Sequence, residues 1–206
     1  MRTFPTLTDK AADYNEAVLT KIVQYATVPV ISLESATLHP LQSFADLITV
    51  AETKRKPRVK VVLTWAPHVR ALPQCVPNSF ADWFSEIDWV DFVITHPEGY
   101  ELDPKFTKGA TIEYDQRKAP GGADYVQAKK LEQLPRLRPG TQQRPRLDAH
   151  ARAHGPDRQR QSIHCLPARR NVEVSDAVLD SPNSLIIQEA GNRTFSMQTV
   201  LHELLK

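Results

Sequence analysis

Arginine, histidine, glutamine and cysteine occur in this chain in four short phrases whose side chains suit gripping an oxyanion and polarising a carbonyl. The phrases are Met1-Arg2-Thr3-Phe4, His39-Pro40-Leu41-Gln42, Ile163-His164-Cys165-Leu166-Pro167-Ala168-Arg169-Arg170-Asn171 and Glu189-Ala190-Gly191-Asn192-Arg193. An arginine fork binds phosphate through paired hydrogen bonds, and fixed donors stabilise charge developing on a carbonyl oxygen. His39 and Gln42 sit three apart at the opening of a predicted helix, so both can face one point beside its N-terminus. Taken alone, such a pair is a cap and a surface residue, Arg2 a solvated charge, and Cys165 a small buried hydrophobe. No His-plus-acid activation pattern accompanies Cys165, so its thiol reads as a positioning group and not a nucleophile.

The elements that must position these residues alternate between helix and strand. Apolar spacing predicts a helix over residues 10–26, a buried strand over 28–33 and a helix over 40–52 with Pro40 in its first turn. Strand 59–64, turn 66–68, helix 72–87 and strand 89–95 follow. Short strands are predicted at 112–114 and 125–128, separated by a helical turn at 115–119 and the Pro120-Gly121-Gly122 break. A last strand over 184–187 and an amphipathic helix over 192–206 complete the order. The expected class is α/β, a three-layer parallel sheet with helices on both faces. In such sheets ligands bind beyond the carboxyl ends of the strands, and the phrases at 39–42, 65–68, 128–129 and 164–167 all follow or replace strand ends.

Composition is ordinary for a globular chain of 206 residues, with 41% hydrophobic and 24% charged. The only cysteines are Cys75 and Cys165, which give no disulfide framework and no metal knuckle, so a reducing cytosol is the natural compartment. No metal and no cofactor is expected. No apolar run is long enough to span a bilayer. The net charge of +2 conceals a local +6 over residues 129–164. Between Lys129 and Ser162 there is no Val, Ile, Met, Phe, Trp, Tyr or Cys, so this basic segment is expected to be irregular or disordered. It lacks aromatics for stacking on bases, which argues against a nucleic-acid arm.

The paired phrases His39-Pro40-Leu41-Gln42 and His164-Cys165-Leu166-Pro167 resemble the signature of the aspartate/ornithine carbamoyltransferases. Trp65-Ala66-Pro67-His68 and His96-Pro97-Glu98-Gly99-Tyr100 narrow the resemblance to the N-acylornithine type, the second phrase leaning towards succinyl. The resemblance implies transfer of a carbamoyl group from carbamoyl phosphate to the side-chain amine of an N-acylated ornithine. It assigns Arg2, His39, Gln42, Cys165, Leu166 and Arg193 to carbamoyl phosphate, the two residues of the turn through their main-chain carbonyls. It assigns Glu34 to the ornithine end, and His68, Lys129 and Arg169 to the carboxylates of the acylated amino acid. Apart from that resemblance, Glu34 and Lys129 read as solvated charges at strand ends.

Four parts are implied: residues 1–38 as the end of a carbamoyl phosphate domain, 39–128 with 163–190 as the acceptor domain, 129–162 as the irregular segment, and 191–206 as the terminal helix. The family carries a Ser-Thr-Arg-Thr-Arg phosphate loop in a preceding domain, and no such phrase occurs here, so the chain reads as truncated at its N-terminus and its activity as impaired. An inactive α/β module that binds the acylated amino acid is the alternative. The family is homotrimeric, but much of that contact lies in the preceding domain, and the resemblance does not carry a trimer over. Removing one base within the codon of Lys130 lets permitted codons spell Asn-Trp-Ser-Ser-Tyr-Arg-Asp-Tyr-Gly, text of the kind the family shows there, so residues 130–162 read as a frameshift, with a basic insertion as the alternative. The nucleotide sequence of codons 128–164 should then contain an uninterrupted alternative frame; a stop codon in it overturns this reading.

Overall fold

Val59, Val61 and Leu63 on one side and Val62 on the other are all buried, the pattern of a strand covered on both faces and paired along both edges. This strand, β1 (Val59–Pro67), lies at the centre of five in a computed structural model that describes residues 1–6, 8–67, 74–131, 160–171 and 173–206. It pairs in parallel with β2 (Val90–Thr95) and with β4 (Tyr125–Leu131). The two-residue β3 (Thr111–Ile112) and three-residue β5 (Gln161–Ile163) extend the sheet outward, again in parallel. The order β3-β2-β1-β4-β5 reverses direction between β1 and β4. A crevice forms at such a reversal, beyond the strands' carboxyl ends.

The helices are α1 (Lys10–Tyr14), α2 (Ala17–Tyr25), α3 (Pro40–Thr53), α4 (Cys75–Phe84), α5 (Asp176–Leu179) and α6 (Ile186–Leu204), with a 3₁₀ turn at Pro104–Phe106. The main core forms where α3 and α4 meet one face of the sheet, through Val50, Phe80 and Phe84 against Val61, Leu63, Phe92 and Tyr125. Phe80 and Phe84 stack with ring centroids 4.0 Å apart, and Phe92 tilts against both. On the opposite face Val62 and Val126 are covered by Ala119 and Ala123 from the turn after β3. The expected α/β class holds, with a parallel sheet flanked by helices.

Several sequence expectations are corrected. The helix expected over 10–26 breaks at Glu16, whose φ of 52° is left-handed, because its carboxylate turns aside to accept from Ser35 Oγ at 2.6 Å and the Thr37 amide at 2.8 Å. Residues 28–33 do not form a buried strand; Val28 is exposed, and the pairing with residues 1–3 is confined to residues 31–34. Residues 184–187 do not form a strand either. The α6 helix begins at Ile186, because Ile186, Glu189, Asn192 and Ser196 fall on one helical side and are all buried. The segment expected to be irregular has strand at both ends, β4 running through Leu131 and β5 starting at Gln161. Its interior, residues 132–159, lies outside the described residues, as does the body of the proposed frameshift.

Phe80 has no exposed surface and packs its ring against those of Phe84 and Phe92. Phe80→Ala should lower the unfolding free energy by roughly 3–5 kcal/mol, read from urea denaturation; a loss below 1 kcal/mol would contradict this packing.

Candidate active site

Residues 1–3 and 31–35 form the first wall. The Met1 ammonium donates to Ile31 O at 2.8 Å, the Leu33 amide to Met1 O at 2.7 Å and the Thr3 amide to Glu34 O at 2.8 Å. This pairing sets Arg2 opposite Glu34, and their side chains form an ion pair. Glu34 is buried. One of its oxygens lies 3.9 Å from His39 Nε2, and the other accepts from Cys75 Sγ at 3.4 Å. Thus one carboxylate ties together an N-terminal arginine, the opening of α3 and the start of α4.

The second wall is the opening of α3. Pro40 occupies the first turn, as its missing N–H allows, and no side chain caps the helix. The His39 amide donates instead to Ser79 Oγ of α4 at 2.7 Å. Gln42 faces inward, its Nε2 donating to Asp46 Oδ1 at 2.7 Å and to Glu189 Oε1 at 2.8 Å, while its Oε1 accepts from Arg193 Nη1 at 2.7 Å. The third wall follows β5. Glu189 Oε2 accepts from the His164 amide at 2.7 Å, and His164 Nδ1 lies 2.6 Å from Ala128 O of β4. Lys129, the next residue of β4, meets Cys165 Nζ to Sγ.

Electrostatics bind these walls into one neighbourhood. Burial and the positive charge of Arg193, Arg2 and Lys129 outweigh the opposing pull of Glu34 and lower the His39 pKa from 6.5 to about 4. His39 is therefore a neutral imidazole at physiological pH, and its buried Nδ1 has no partner among the described residues. Burial alone would lower the Lys129 ammonium, but Cys165, Glu189 and Asp46 outweigh it and the net direction is up. Burial, reinforced by Glu34, raises the Cys75 thiol well above its ordinary value, so this cysteine stays protonated.

Arg2, Glu34, His39, Gln42, Lys129, Cys165 and Arg193 are thus linked by direct contact or by mutual field. Leu166 follows Cys165 on an exposed turn. Arg169 is exposed and points to Glu173, its amide donating to that carboxylate at 2.9 Å; among the described residues its guanidinium contacts none of those seven groups. His68 lies outside the described residues. His96 is buried and stacks on Trp65 with centroids 4.8 Å apart, so that phrase supports the floor of the sheet. Sequence reading missed Asp46 and Glu189. Each stands one helical turn from a named residue, Asp46 four after Gln42 and Glu189 four before Arg193, and that spacing was the available signal. Among the described residues no group of acids, histidines and cysteines could hold a metal ion, and no helix is long and apolar enough to cross a membrane.

The profile of the Asp/Orn binding domain of aspartate/ornithine carbamoyltransferase matches residues 151–204. The fold superposes with a TM-score of 0.80 on a crystal structure of an N-acetyl-L-ornithine transcarbamylase variant complexed with carbamyl phosphate and N-succinyl-L-norvaline, at 30% identity over 97% of this chain and 66% of that one. The fold is thus like the Asp/Orn binding domain of the aspartate/ornithine carbamoyltransferases.

All of this chain aligns at 48% identity with 65% of the N-succinylornithine carbamoyltransferase of Bacteroides fragilis (strain 638R). All of it aligns at 30% identity with 66% of the N-acetylornithine carbamoyltransferase of Xanthomonas campestris pv. campestris. The chain is a homologue of the N-succinylornithine and N-acetylornithine carbamoyltransferases, and it spans about 65% of the length of these curated relatives.

Because the folded-state pKa of His39 lies below its ordinary 6.5, the unfolded chain takes up that proton first as pH falls. The stabilisation from keeping the ring neutral is fully present above pH 6.5 and is lost as pH falls towards 4. His39→Gln should remove this dependence, so the stability gap between the two proteins should change by about 3 kcal/mol across that window. Urea denaturation at a series of pH values checks it; parallel profiles would contradict the neutral histidine.

Proposed function

We propose that this chain supplies the ornithine-side machinery for carbamoyl transfer from carbamoyl phosphate to the side-chain amine of an N-acylated L-ornithine, giving N-acylcitrulline and phosphate. The setting is arginine biosynthesis in the cytoplasm. The observation that carries the reading is the convergence of three cations, Arg2, Lys129 and Arg193, on the field of one neutral histidine. Anionic groups suit such a place, and both proposed substrates carry them, as phosphate or carboxylate.

In this reaction the neutral amine forms a bond to the carbamoyl carbon, the bond from that carbon to the phosphate oxygen breaks, and the amine's proton passes to the departing phosphate. Arg193 and Arg2 offset the charge of phosphate and of the polarised carbamoyl oxygen. His39, being neutral, offers a ring N–H without adding a repelled cation. Gln42 and the main-chain carbonyls of Cys165 and Leu166 orient the carbamoyl amide, whose N–H groups need acceptors. Glu34 faces the amine end, and Lys129 suits a carboxylate of the acylated amino acid. His68 and Arg169 belong to the same proposal through the resemblance alone. Greater identity to the succinyl relative, 48% against 30%, supports an N-succinyl acceptor.

The 65% span favours a second reading, in which this polypeptide binds the acylated amino acid without turning it over. Calorimetry with N-succinylornithine and a phosphate-release assay with both substrates separate the two. Binding with phosphate release supports the full transfer, binding without release the second reading, and no binding overturns both. Lys129→Met should weaken N-succinylornithine binding by at least about tenfold, or 1.4 kcal/mol; unchanged affinity would remove Lys129 from the site.

A further inference from the structure

We propose that Asp46 and Glu189 form a proton-sharing carboxyl pair that positions the Gln42 amide, and through it Arg193 and the His164 turn, at the mouth of the site. The functional side of this inference rests on the carbamoyl phosphate reading above; the pair itself does not.

Geometry leaves the Gln42 amide one orientation. A glutamine carries two N–H donors on nitrogen and acceptor capacity only on oxygen. Its nitrogen lies 2.7 Å from Asp46 Oδ1 and 2.8 Å from Glu189 Oε1, and its oxygen lies 2.7 Å from Arg193 Nη1. Turning the amide over would set its oxygen against two carboxyls and its NH₂ against a guanidinium, an unfavourable contact on both sides. Glu189 also accepts from the His164 amide through its second oxygen, so one carboxyl governs both the amide and the start of the turn that presents Cys165 and Leu166.

Neither carboxyl has exposed surface, and both converge on one nitrogen, Gln42 Nε2, at 2.7 Å and 2.8 Å. Two full negative charges side by side without water repel strongly. Burial raises both groups, Asp46 to about 6 and Glu189 well above the usual carboxylate range, with Asp46 adding to the effect on Glu189. The groups facing the pair are Gln42 from α3, Arg193 from α6, Lys129 from β4, and the His164 amide with Cys165 from the turn. Asp46 Oδ2 is buried and has no donor among the described residues; a proton held by Glu189 is the donor it lacks. The pair then carries one negative charge, set against Lys129. Loss of the last proton as pH rises would drive the carboxyls apart and release either Gln42 or the His164 amide.

Isotope-edited infrared spectroscopy of the full chain, with carbon-13 in the side-chain carboxyls of glutamate, tests the pair without any ligand. The wild type should show a protonated-carboxyl band at neutral pH that shifts with the label. Glu189→Gln should abolish the band, and Asp46→Asn should also abolish it, by letting Glu189 ionise. A wild type without the band overturns the pair, as does a band that survives in both variants; should the variants fail to fold, the wild-type spectrum decides alone. Carbamoyl phosphate binding titrated on the same wild-type sample tests positioning. Affinity that falls at least tenfold as the band titrates away supports it, and affinity indifferent to the band overturns it. A band present with no binding at any pH overturns the functional reading and with it the positioning role, while the proton-sharing pair stands.

Discussion

The contact between α3 and α6 is the constraint on which the rest of the site depends, and it is made of directed hydrogen bonds. Gln42, Asp46 and Thr49 on one helix meet Glu189, Asn192 and Arg193 on the other, with Asn192 Nδ2 donating to Thr49 Oγ1 at 2.9 Å and to Glu52 Oε2 at 3.1 Å. An oily seam tolerates sliding and rotation, because dispersion is nearly indifferent to register. Buried polar groups lose far more if they miss their partners. This seam therefore fixes the height and rotation of α6 on α3, which sets where Arg193 stands relative to His39.

The sheet supplies the complementary constraint. The strand order reverses between β1 and β4, and near the carboxyl end of β4 Lys129 meets Cys165. The α/β scaffold brings the walls together and the charges give the result its chemical character. Glu34 neutralises part of the Arg2 charge and holds it in place. Burial, reinforced by Arg193 and the other nearby cations, keeps His39 unprotonated. Charge is thereby distributed so that the cations remain available to an incoming anion while the imidazole does not compete as a fourth.

Most of the architecture was legible in the chain. Runs such as Val59 to Leu63 can be satisfied only by burial on both faces, and Pro40 marks the start of α3. Errors fell where tertiary contacts overrule local preference. The Ser184-Leu185-Ile186-Ile187 run reads as strand by its β-branched residues; Ser184 does bridge to Ser162, yet the chain turns helical from Ile186, where Glu189 and Asn192 make the seam with α3. Residues 10–26 carry a helical period, but the turn at residues 35–37 claims the Glu16 carboxylate and breaks the helix. Arg2, His39, Gln42 and Arg193, the side chains proposed for the anion, were singled out by short phrases through the family resemblance. The carboxyls behind them were not singled out, since an acid one turn along a helix is ordinary until its burial is known. Arg169 shows the converse: its phrase suggests a site residue, and the structure turns it to Glu173.

The sheet margin at β3 has one further consequence. Its two residues bring few free backbone groups to the edge, and Gly109, with a φ of 79°, bends the chain just ahead of them. A long flat margin invites another polypeptide to add itself as the next strand. This short one gives an intruding backbone almost nothing to zip onto, so self-association through that border is disfavoured however crowded the surroundings.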